Sequence, residues 1–131
     1  KEAGVDVRIG TDGAASSGSG LDMLAEARLA ALVQRPEHWD ATLLPANEVF
    51  SMATKGSSDW AVWNLDDVRM RPAGRSGNRH LANLVFNGAE CLDLWVDGQG
   101  VRLDGKTKTL DEHLAWNELD NAVQSYYEGV E

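Results

Sequence analysis

Cysteine is nearly absent from these 131 residues: the one present, Cys91, has no partner for a disulfide within the chain. It lies in an apolar run and reads as a buried, inert thiol, and a reducing cytoplasm is the compartment this usage fits. Basic residues are also scarce, 12 Lys and Arg against 21 Asp and Glu, for a net charge of −9. The only basic cluster, Arg69, Arg71, Arg75 and Arg79, is short and has no interleaved aromatics, so nucleic acid is excluded as a partner. No apolar stretch approaches the roughly 20 residues of a membrane span, and Lys1-Glu2-Ala3-Gly4 contains no signal-peptide core. A Gly-x-Gly-x-x-Gly segment, a P-loop and a Gly-x-Ser-x-Gly elbow are all missing, which leaves Ser16, Ser17 and Ser19 as a connector rather than a nucleophile loop. His38, His80 and His113 stand far apart, with neither a His-x-His nor a helical pair, so none has the spacing of a zinc ligand set.

What the chain does have is ordinary globular composition, 43% hydrophobic and 25% charged, and enough length for one domain that buries about two-thirds of its unfolded surface. It opens at Lys1 immediately ahead of a strand-like run, which implies that something upstream is missing. Val5-Asp6-Val7-Arg8-Ile9 alternates apolar and polar residues, predicts a strand, and ends at Gly10-Thr11-Asp12-Gly13. A small-residue loop then leads to Ser19 and Asp22 at capping-box spacing and to a helix over about 21–34, stopped by Pro36. Pro45 suits the first turn of a second helix, with Ala46, Val49, Phe50 and Ala53 on one face and Gly56 closing it. Residues 64–80 lose any clear period and read as a linker. Residues 81–86 and 91–96 read as strands of an antiparallel meander, with Asn87-Gly88, Asp97-Gly98 and Asp104-Gly105 as turns. Thr109 and Glu112 are spaced as a second capping box before a closing helix striped by Ala115, Leu119, Ala122, Val123 and Tyr126. The five tryptophans, Trp39, Trp60, Trp63, Trp95 and Trp116, are spread over every element and read as packing residues.

One position stands out chemically. An Asp just beyond the C-terminal end of a strand, followed by Gly, is what a turn uses, since its side chain can cap the next backbone N–H groups. It is also where barrel and other α/β enzymes place a carboxylate that ligates a metal or takes a proton from metal-bound water. For Asp12 local spacing leaves both readings open.

Several blocks in order add to this. Val5-Asp6-Val7-Arg8-Ile9-Gly10-Thr11-Asp12-Gly13-Ala14-Ala15-Ser16, the helix Leu21-Asp22-Met23-Leu24-Ala25-Glu26-Ala27-Arg28, then Asp40-Ala41-Thr42-Leu43-Leu44-Pro45-Ala46, Met52-Ala53-Thr54, Leu94-Trp95-Val96-Asp97-Gly98 and Leu103-Asp104-Gly105-Lys106 follow one another. Together they resemble the C-terminal third of amidohydrolase-superfamily enzymes of the chlorohydrolase, guanine deaminase and methylthioadenosine/S-adenosylhomocysteine deaminase group. The resemblance implies an α+β chain: the last βα unit of a (β/α)8 barrel in residues 1–63, a linker or deleted region in 64–80, and in 81–131 part of a small β-sandwich followed by a C-terminal helix. It implies a divalent metal, zinc ahead of iron, and makes Asp12 both a metal ligand and the group that moves a proton to or from the attacking water. A small aromatic N-heterocycle is the implied substrate, hydrolysed at a C–N or C–Cl bond. The family's remaining ligands, a His-x-His and two later histidines, have no counterpart here, and a barrel of eight strands needs roughly 250 residues. The expectation is therefore that the chain alone binds no metal and is inactive. The alternative is a non-catalytic α+β module that buries its apolar helix stripes by forming a homo-oligomer.

Overall fold

The computed structural model describes residues 3–13, 20–74 and 77–129, which form two compact units. One comprises Lys1–Ser57 and Asn64–Glu90, the other Ser58–Trp63 and Cys91–Glu131.

The first unit is built of helices: α1 (Met23–His38), α2 (Ala46–Thr54) and α3 (Gly77–Asn87), with a 3-10 turn at Val68–Met70. α1 starts later and ends later than the sequence suggests. Asp22 is the N-cap itself, its Oδ1 accepting from the backbone N–H groups of Leu24 at 2.9 Å and Ala25 at 3.1 Å, while Ser19 lies outside the described residues. Pro36 does not stop the helix. It sits in the last turn, where a missing N–H removes one bond only, and the chain leaves the helix at Trp39, whose left-handed φ of 52° turns its N–H back to Arg35 and Pro36. α2 begins after Pro45, as expected, and ends at Lys55, with Gly56 in the left-handed region at φ 82°.

Residues 81–86, expected as a strand, belong to α3. Leu81, Leu84 and Val85 have the i, i+3, i+4 spacing of a helix, and a short apolar run does not announce its period. Asn87-Gly88 is accordingly a helix end and not a hairpin, with Gly88 at φ 75° sending its N–H back to Leu84 at 2.9 Å. Ala27, Ala31, Ala46, Val49 and Val85 form the core of the unit. Three alanines at the helix contacts let the backbones approach closely. Arg28 Nε reaches the carbonyl of Val85 at 3.1 Å, and Arg35, which also lies over the Phe86 ring, donates to the carbonyl of Leu43. Asn83 and Asn87 side chains donate to the carbonyls of Met70 and Arg69, binding the 3-10 turn to α3.

Residues 5–9 form no strand among the described residues. Their alternation is real, but a strand exists only through a neighbour, and the backbone bond that holds this segment runs from Ile9 N to the carbonyl of Met52 in α2, 3.1 Å.

The second unit is an antiparallel meander in the order β1 (Trp60–Trp63), β2 (Cys91–Val96), β3 (Gln99–Leu103) and β4 (Lys106–Thr107), followed by α4 (Glu112–Glu128). Its first strand is therefore Trp60–Trp63, not residues 81–86. Trp60 lies opposite Trp95 and the two indoles stack, centroids 5.0 Å apart and planes within 8°. Asp97-Gly98 and Asp104-Gly105 make the predicted hairpin turns, with φ of 49° and 76° in one and 52° and 71° in the other, the double positive φ of a type I′ turn. Asp111, not Thr109, caps α4, accepting from His113 and Leu114 N–H; Glu112 engages Arg102 at 3.7 Å and the Thr107 hydroxyl instead. No residue of α4 is buried.

Candidate functional site

The chain segment carrying Asp12 lies on the C-terminal half of α2. Beyond the Ile9 to Met52 bond, Asp6 pairs with Lys55 at 2.5 Å and with Arg8 at 3.6 Å, and Arg8 packs where a side chain on Gly56 would stand. The Lys55 ammonium, ahead of Arg8, holds the Asp6 carboxyl below its usual range. These pairs are half exposed and contribute little individually. An open hollow of about 950 Å³ lies beside the segment, lined by apolar side chains such as Val7, Ile9 and Met52 with His38 and Lys55 at hand; Asp12 does not line it.

Asp12 itself is exposed and adopts a left-handed φ of 55°, with the Thr11 hydroxyl donating to its own main-chain carbonyl at 3.3 Å. Asp tolerates this region better than most residues because its short polar side chain can bond locally. Elsewhere in the chain Asp and Asn side chains make local bonds of this kind at residues with negative φ or ordinary turns. Asp22 accepts from the N–H of Leu24, Asp40 from Thr42, Asn64 from Asp66, Asp67 from Arg69 and Asp111 from His113, each two residues on. The residue two positions beyond Asp12, Ala14, lies outside the described residues.

The other candidate ligands do not converge on Asp12. Among the described residues, no group of three or more His, Cys, Asp or Glu side chains is placed to hold a metal ion. His38 ends α1; His80 lies in α3 with its Nδ1 buried and without a partner; His113 stands edge-on to Trp116, 5.2 Å between centroids, on α4. The described residues therefore do not fit a metal on their own. Cys91 is half-buried; burial pushes its thiol up from the usual range, against a smaller opposing effect of Arg102, which suits the inert reading. Ser16, Ser17 and Ser19 lie outside the described residues. Among the tryptophans, Trp39 is almost fully exposed, contrary to a packing role.

Sequence reasoning passed over Asp67. Its carboxylate accepts from the N–H of Arg69 and of Glu90, both at 2.9 Å, and from the Arg69 guanidinium, tying the 3-10 turn to the end of the loop after α3. Arg69, with those N–H groups, holds the carboxyl far below the ordinary range. The Asp-x-Arg spacing is the only local sign of it.

Fold and site together define an α+β chain in which a helical unit bears the exposed Asp12 and a small antiparallel meander follows. Residues 1–61 match the model of the amidohydrolase family, the family that the sequence resembles. It is 34% identical to a 5-methylthioadenosine/S-adenosylhomocysteine deaminase of Bacillus cytotoxicus and 35% identical to one of Bacillus cereus. Each similarity runs over 127 residues and covers 85% of this chain but 29% of the relative, so the chain spans less than a third of their length. An adenosine deaminase from Xanthomonas campestris, solved with bound zinc, has the same fold over 94% of this chain and 31% of its own, with a TM-score of 0.74 and 24% identity.

Proposed function

We propose that the chain is the C-terminal part of a metal-dependent hydrolase that deaminates an aromatic N-heterocycle in the cytoplasm, and that Asp12 supplies one carboxylate to its metal site. The observation that carries the reading is the similarity to methylthioadenosine/S-adenosylhomocysteine deaminases across 85% of the chain. The exposure of Asp12 and its place within the segment that matches the amidohydrolase family support the assignment of the residue, and the zinc of the Xanthomonas structure supports zinc over iron. A divalent ion in such a site lowers the pKa of a bound water towards neutrality. Because the described residues do not build that site, the proposal gives this chain one ligand and no complete reaction. Elemental analysis of the isolated 131-residue chain should find no stoichiometric zinc. Co-expression with a barrel-forming upstream part should yield both zinc and ammonia release from an adenosine-type nucleoside, and Asp12→Asn should abolish the ammonia release. Stoichiometric zinc on the isolated chain, or an active Asp12→Asn complex, overturns the assignment.

A second reading, a non-catalytic module that self-associates, is favoured by one observation: α1 leaves Leu29, Leu32 and Val33 about half exposed. Light scattering decides it, a stable metal-free dimer supporting the module and a monomer at high micromolar concentration removing the reason for it.

A further inference from the structure

We draw no further inference here: the strongest candidate, the apolar face of α4 formed by Trp116, Leu119, Val123, Tyr126 and Tyr127, is exposed along its whole length, and nothing in the structure shows what covers it.

Discussion

Val49→Ala is the sharpest test of the helical unit that carries Asp12. Val49 is fully buried on α2 among Ala27, Ala31, Ala46 and Val85, and α2 is also the helix that receives the backbone bond from Ile9. The substitution removes two methyl groups, worth roughly 1.6 kcal/mol at about 0.8 kcal/mol per buried carbon. It also leaves a void of roughly 50 Å³, which at about 24 cal/mol per Å³ adds roughly 1 kcal/mol if the site does not collapse. Collapse from the α1 side is limited because the cluster residues there are alanines: Ala27 and Ala31 have no longer side chain to swing into the gap. The expected loss is thus roughly 2–3 kcal/mol, a large share of the 5–15 kcal/mol typical of a domain. Urea unfolding followed by far-UV circular dichroism, which is dominated by the helices, should show the midpoint falling by about 1–2 M with an unchanged slope. Leu29→Ala on the same layer is the control: Leu29 is half exposed and its truncation should stay within about 0.5 kcal/mol. If the two variants shift the midpoint equally, the packing of α1, α2 and α3 is not the one described.

Two further outcomes follow from particular groups. Asp67 has a folded pKa below its unfolded one, so its contribution is fully present above the ordinary carboxylate range and is lost as pH falls through that range towards the folded value. Asp67→Asn should therefore lower the urea midpoint at pH 7, and the gap to the parent chain should narrow below about pH 4; a gap constant down to pH 2.5 refutes the ion-pair account. Gly98→Ala meets no atom within 4 Å, so its effect isolates the backbone: φ of 76° should cost about 1 kcal/mol, whereas Gly10→Ala, equally open and not at positive φ, should be near neutral. Equal thermal midpoints for these two variants would show that the turn does not hold its left-handed geometry.

How far the sequence reveals the fold depends on whether the determining interaction is local. The two Asp-Gly turns and the starts of α1, α2 and α4 are set by residues within a few positions, and they are legible to within a residue or two. Residues 81–86 mislead because six apolar-rich positions satisfy a strand and a helix equally until a partner is known; α1 and α2, by burying Val85, select the helix. Trp60–Trp63 is missed for the reverse reason. Its four residues, Trp-Ala-Val-Trp, show no alternation of polarity, and the strand is defined by pairing with Cys91–Val96, some 30 positions later in the chain. Residues 5–9 alternate well and yet pair with no strand among the described residues, because alternation records a pleated face without supplying the ladder partner.

The candidate site divides along the same line. That Asp12 follows an extended segment is legible; its role is not, since the sequence Thr-Asp-Gly fits a self-capped turn and a site carboxylate equally well. Other Asp residues of the chain show the capping role. Asp22, Asp40, Asp67 and Asp111 each sit where an N–H two residues on can be satisfied, and each accepts it. Asp12, at φ 55°, shares the left-handed region with the turn residues Asp97 and Asp104. A left-handed non-glycine residue costs on the order of 1 kcal/mol, and a turn alone would lose nothing by replacing it with glycine. On the proposed reading, this exposed carboxylate, on a segment fixed to α2 by the Ile9 to Met52 bond, serves the metal site of a larger assembly. Asp12→Gly carries the consequence: it should leave the stability of the isolated chain unchanged or slightly raised, while removing ammonia release from the reconstituted hydrolase as completely as Asp12→Asn. A clear loss of stability in the isolated Asp12→Gly chain would return Asp12 to the role of a turn former.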